Sequence, residues 1–176
     1  MVDVIAERWF DPPLRQDDVL VMSLEAGGCF RLHKIHWQQS LLALDGRKLI
    51  CHFTAPDLES VRIAFRQNDA DASCLWSGTV HVGPDAPPAN VVVERRFDKP
   101  VSLAEIQARE DASAWCLEIR GVSFTRTLFS LDRRRMLCLY RAPDAEAVRQ
   151  AQREAEMPVE CVWAFQPVGP GDLPPS

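Results

Sequence analysis

Two glutamates and a group of histidines are the residues with which this chain would do chemistry. Glu7 and Glu94 lie 87 positions apart, each inside a strand-like run, VIAERWF from position 4 and VVVERRF from position 91. A carboxylate on such a strand needs a partner or a wet cavity, because an unpaired buried charge is costly. Alternation sets Glu7 and Trp9 on one face and Arg8 and Phe10 on the other. Gln39 and Arg126 occupy matching places on the following strands, so Glu7, Trp9, Gln39, Glu94, Arg96 and Arg126 form a candidate ligand site. There, carboxylates and arginines would fix a small polar ligand. The competing reading is structural, with salt bridges from Glu7 to Arg96 or from Glu94 to Arg126.

His33, His36 and His52 are the candidate metal ligands, since imidazole suits nickel, zinc and copper. His33 and His36 are three apart at a helix-to-strand junction, and His52 joins them only if it points the same way. The competing reading is three separate histidines at or near the surface. The chain contains no HExxH pair, no paired-cysteine zinc spacing and no glycine-rich phosphate loop, so no catalytic residue is assigned.

The elements that position these residues occur twice. Cys29 and Cys116, Cys51 and Cys138, and Cys74 and Cys161 are each separated by the same 87 positions as the glutamates. Between positions 5–76 and 92–163, 21 of 72 aligned pairs are identical without an insertion, so even the loops keep their lengths. This period is too long for a solenoid unit, and each copy reads as a whole small domain. The expected organisation is a first repeat at 1–83, a proline-rich linker at 84–90, a second repeat at 91–168 and a flexible tail at 169–176. Domains this small bury only about 60% of their unfolded surface, which favours two copies that share an interface.

Composition narrows the function classes. A net charge of −5 and a pI near 5.4 argue against a nucleic-acid partner, which requires a basic stripe. No apolar run is long enough to span a bilayer, and the start, Met1-Val2-Asp3-Val4, does not read as a secretory signal. The expected location is cytoplasmic. Each copy holds three cysteines, an odd number with no close pair, so reduced buried thiols are expected rather than disulfides or metal thiolates.

In each copy a strand is followed by a helix. The second copy opens its helix with a capping box, Ser102 to Glu105, and the helix is expected to run to about Ile119 before Gly121 stops it. The first copy carries Gly27-Gly28 inside this helix, at about 1 kcal/mol per glycine against alanine, and a break or kink is expected there. A hairpin follows, turning at Asp45-Gly46 in one copy and Asp132-Arg133 in the other. Asp57 and Asp144 then cap a second helix, and a last strand closes each copy at Cys74–Trp76 and Glu160–Phe165. The order β-α-β-β-α-β is the split βαβ unit, an antiparallel sheet with both helices on one face. The expected fold class is therefore α+β: two tandem ferredoxin-like repeats packed as a pseudo-twofold fused dimer, as in a dimeric α/β-barrel or a sandwich.

The block Phe129–Arg149 (FSLDRRRMLCLYRAPDAEAVR), preceded by Val93–Phe97 and followed by Cys161-Val162-Trp163, resembles the small bacterial nickel-binding-protein-like domains. The resemblance covers nearly all of the second copy and, more faintly, the first. It implies a ferredoxin-like domain that dimerises, here as an internal pseudo-dimer able to form a further homo-oligomer. It also implies histidine-dependent metal binding. The second copy has no histidine, which confines nickel or another divalent transition metal to the first.

The leading functional reading is a non-enzymatic binding protein for a small molecule or a metal ion, in or near the cavity between the repeats. Two alternatives are a dimeric α/β-barrel enzyme using a cavity carboxylate as acid or base, and a protein-interaction module.

Overall fold

Strand alternation and helical stripes both point apolar side chains at one layer, and the two patterns meet there. The structure, a computed structural model, describes residues 1–84 and 86–174; Asp85 of the expected linker and Pro175-Ser176 of the expected tail lie outside the described residues. The first half of the chain runs β1 (Val2–Trp9), α1 (Gln16–Leu32), β2 (His36–Ala43), β3 (Lys48–Ala55), α2 (Leu58–Gln67) and β4 (Cys74–Val82). The second half runs β5 (Val91–Arg96), α3 (Leu103–Ala112), α4 (Ala114–Glu118), β6 (Ser123–Ser130), β7 (Arg135–Arg141), α5 (Ala145–Glu154) and β8 (Cys161–Val168). A short 3-10 turn follows at Pro170–Asp172. Among the described residues no helix is long and apolar enough to cross a membrane.

The chain divides into two compact units, Met1–Gly78 with Gln166–Ser176, and Thr79–Phe165. In the first unit β1 pairs antiparallel with β3 and β4, and β3 with β2, giving the order β2-β3-β1-β4. In the second, β5 pairs with β7 and β8, and β7 with β6, giving β6-β7-β5-β8. Both therefore have the antiparallel order of a ferredoxin-like unit. Even the irregularities correspond, since the register of β2 shifts between Trp37 and Gln39 and that of β6 between Phe124 and Arg126.

Each unit buries one sheet face under its helices. In the first, Val4 and Ala6 of β1 and Leu49, Cys51 and Phe53 of β3 pack with Val19 of α1 and Val61, Ala64 and Phe65 of α2. In the second, Val91 and Val93 of β5 and Cys138 and Tyr140 of β7 pack with Ile106 of α3 and Val148 of α5. Each fully buried valine, leucine, isoleucine or phenylalanine contributes about 1.5–3 kcal/mol. The second helices begin where the caps direct, with Asp57 accepting from the Ser60 N–H at 2.7 Å and Asp144 from the Ala147 N–H at 2.7 Å.

The first helices differ from expectation in opposite senses. The Ser102 cap forms, its N–H donating to Glu105 at 3.1 Å, but the helix of the second unit breaks at Ser113 into α3 and α4. Serine competes for backbone hydrogen bonds and sits at φ −116°, ψ 16°. In the first unit Ala26 holds the equivalent place, and α1 runs unbroken through Gly27-Gly28. Burying Val19 and Ala26 on the core face outweighs what the glycines cost.

Two glycines then have opposite expected responses in chemical denaturation. A Cβ at Gly28 would meet nothing within 4 Å, so Gly28→Ala should stabilise by up to about 1 kcal/mol. Gly46 lies at φ +72° and its Cβ would stand 2.3 Å from the Leu14 carbonyl oxygen, so Gly46→Ala should destabilise by about 2 kcal/mol or more.

Candidate functional site

The first strand of each unit carries an arginine on the helix-covered face, Arg8 in β1 and Arg95 in β5, where alternation calls for an apolar residue. Burying a guanidinium there requires acceptors. The two units supply them differently.

In the second unit Arg95 is 1% exposed and enclosed by protein groups. Its Nη2 donates to Glu110 Oε1 at 3.0 Å and to Gln152 Oε1 at 2.8 Å, and its Nη1 to the Pro158 carbonyl at 2.6 Å. The Tyr140 hydroxyl donates to the same Glu110 carboxylate and accepts from Gln152 Nε2 at 3.3 Å. α3, β7 and α5 thus each send one polar side chain to one cation. Burial by itself would push Arg95 down, but its neighbours Cys138, Tyr140 and the Glu110 carboxylate push it up by more, so the guanidinium stays charged. Burial pushes the Tyr140 phenol well up, reinforced by Cys138 and Glu110.

At the corresponding positions of the first unit the acceptors are gone. Ser23 stands for Glu110, Phe53 for Tyr140 and Phe65 for Gln152, each 87 positions earlier. Ser23 Oγ turns back on its own helix, donating to the Val19 carbonyl at 3.0 Å. Arg8 keeps one anchor, Nε to the Asp71 carbonyl at 2.8 Å, and Asp71 corresponds to Pro158. Its guanidinium carbon lies 4.8 Å from the centre of the Phe10 ring and 5.5 Å from that of Phe65, a cation–π setting. Beside it is a cavity of about 210 Å³ beneath α1 and α2, whose lining includes Arg8, Ser23, Phe30, Cys51, Phe53 and Phe65. Phe53 meets Phe30 and Phe65 edge to face, at 5.4 Å and 5.9 Å between centroids. Ser40 donates to Cys51 Sγ at 3.1 Å, and burial pushes the Cys51 thiol up, so it stays protonated at neutral pH. Glu25 and Asp69 lie on the exposed rim.

The glutamates singled out by the sequence face the other side of the sheets. Glu7 pairs with Ile50 and accepts from Trp76 Nε1 at 2.9 Å, while Glu94 pairs with Leu137 and accepts from Trp163 Nε1. Trp9, opposite Lys48, is on this side and exposed, and Gln39, opposite His52, is on it and half-buried. Arg96 is bound to Glu160 at 2.8 Å, and Arg126, opposite Leu139, has its Nε buried without a hydrogen-bond partner. The histidines are not brought to one point. His33 Nε2 meets Gln67 Oε1 at 2.8 Å, tying α1 to α2 as Arg120 and Glu154 tie α4 to α5 at 2.6 Å. His52 Nε2 meets Asp3 Oδ1 at 2.7 Å across β3 and β1, and His36 is exposed at the start of β2. Among the described residues no group of three or more histidine, cysteine, aspartate or glutamate side chains is placed to hold a metal ion.

Sequence reasoning passed over Arg8 and Arg95, although both were in view as an identical pair at the 87-residue offset. The usable signal was an arginine on the apolar face of two first strands, with three differences at positions that pack on it.

The topology and register describe α+β units of the ferredoxin-like type, and solved structures agree at the level of fold. Chlorite dismutase from Candidatus Nitrospira defluvii, in an arginine variant, is similar with a TM-score of 0.54 at 10% identity, over 93% of this chain and 90% of that one. TA0507, a protein named after chlorite dismutase, gives 0.51 at 12% identity over 94% of each chain. Residues 92–164, most of the second unit, match the model of the family described as nickel responsive protein SCO4226-like, the kind of family that the block Phe129–Arg149 resembles. No curated protein sequence matches the chain.

Removing one partner of the buried pair leaves the other charge unanswered. Glu110→Gln should cost about 3–5 kcal/mol in chemical denaturation, whereas Ser23→Ala should change stability by about 0.5 kcal/mol or less. Tyr140 is the single tyrosine of the chain, so phenolate absorbance reports it alone. Its pKa is raised in the folded state, so the stability it lends is complete below the unfolded value of about 10 and is lost as pH rises beyond it. Phenolate should therefore appear together with alkaline unfolding rather than before it, and Tyr140→Phe should make the alkaline loss of stability shallower.

Proposed function

We propose that this protein is a binding module for a small organic molecule, seated in the helix-side cavity of its first unit. The observation that carries this reading is the contrast between two units of one topology. The space that Arg95, Glu110, Tyr140 and Gln152 fill in one is a 210 Å³ cavity in the other, with the arginine still in place. A mainly apolar and aromatic cavity with a few convergent polar groups is what a small-molecule site requires.

A tandem duplication, supported by the constant 87-residue offset, accounts for the shared frame, with one copy closed by its own side chains and the other open. An organic ligand is favoured over nickel by the lining, because the guanidinium of Arg8 repels a metal cation and never ligates one. Binding is favoured over nucleophilic chemistry by the protonated state of the Cys51 thiol. The six free cysteines fit a cytoplasmic, reducing setting.

Methyl NMR with neutral one-ring fragments such as toluene and benzyl alcohol tests the reading. Shifts should concentrate on Val19, Met22 and Ala26, and Ile106 and Val148 of the second unit should stay still. An unresponsive first unit, or equal responses in both, would sink it.

A further inference from the structure

The second unit displays what the arginine of this fold binds when its site is complete, namely a carboxylate. Glu110 reaches Arg95 from the helix above the sheet, and Gln152 and the Tyr140 hydroxyl frame the same spot. At the three corresponding positions the first unit has Ser23, Phe53 and Phe65, which remove all three side-chain groups around the guanidinium and leave the Asp71 carbonyl as its hydrogen-bond partner, with the exposed Asp71 carboxylate acting on it through its charge alone. A half-buried guanidinium keeps its charge, and a carboxylate answers it with charge-assisted hydrogen bonds about twice as strong as neutral ones.

We infer, on the reading that the cavity of the first unit binds a small molecule, that its ligand is an organic monocarboxylate. Its carboxylate lies on the Arg8 guanidinium where Glu110 lies on Arg95, and its apolar body lies among Phe30, Phe53 and Phe65. The ligand thus supplies in trans the group that the second unit carries in cis.

Size and lining define the apolar part. A cavity of about 150 Å³ holds benzene, so 210 Å³ admits one ring with a carboxylate attached. The edge-to-face arrangement of Phe30, Phe53 and Phe65 suits a further aromatic ring. Glu25 and Asp69 bear negative charge near the entrance, but both are exposed and solvated, so water and salt screen their repulsion while the contact at Arg8 is partly desolvated. A second carboxylate on the ligand would have to pass or face these two, which is the reason for one acid group rather than two.

Calorimetric titration of the full chain with phenylacetate, phenylacetamide and phenethylamine tests the inference. Phenylacetate should bind at least 10-fold tighter than its neutral amide, and the amine should bind most weakly. Arg8→Gln should abolish the preference for acid over amide. Ser23→Glu, which installs the carboxylate on α1, should weaken phenylacetate at least 10-fold in a chain whose thermal transition shows it folded; should Arg8→Gln fail to fold, this variant decides alone. If the amide binds as tightly as the acid, or if Ser23→Glu leaves phenylacetate affinity intact, the carboxylate assignment is wrong while the cavity remains a binding site. If none of the three compounds binds and neutral rings do not either, the binding reading falls as well.

Discussion

A guanidinium placed under the helices of a small α+β unit must be answered, and the rest of each unit is arranged around that requirement. The arginine sits on the central first strand, between apolar neighbours, where its charge would be costly alone. One carbonyl of the loop before the last strand meets it in both units, at Asp71 and at Pro158. What differs is which side chains surround it.

The second unit answers the guanidinium from within. Glu110 on α3, Tyr140 on β7 and Gln152 on α5 come from three elements distant in sequence, so their polar groups meet at Arg95 only when the helices are seated on the sheet. Such a network ties the seating of both helices to a single charge. Apolar residues of similar size would serve stability as well or better, so the network is better understood as fixing the geometry of the helix layer.

The first unit keeps the frame and changes the contents. Replacing Glu110 by serine frees space, while replacing tyrosine and glutamine by Phe53 and Phe65 turns the surroundings aromatic. The ring faces of Phe10 and Phe65 partly offset the lost acceptors. Cation–π contact contributes about 0.5–2 kcal/mol, and Arg8 is the cation in a cavity whose lining is mainly apolar and aromatic. The His33–Gln67 contact bridging α1 and α2 stands where Arg120–Glu154 bridges α4 and α5.

Local chemistry settled a good deal from the sequence alone. The constant spacing of cysteines and of the Glu-Arg pairs pointed to two units of one strand order, and alternation placed Arg8 opposite Glu7. The caps at Asp57, Ser102 and Asp144 started their helices where expected, because a cap acts within one turn. The fate of Ser113 and of Gly27-Gly28 was not legible, since helix continuity depends on what the helix covers. Nor was the cavity. An arginine at position 8 reads the same as one at position 95 until the chain brings residues 23, 53 and 65, or 110, 140 and 152, against it, and only tertiary packing decides whether a buried charge meets a side chain or a space.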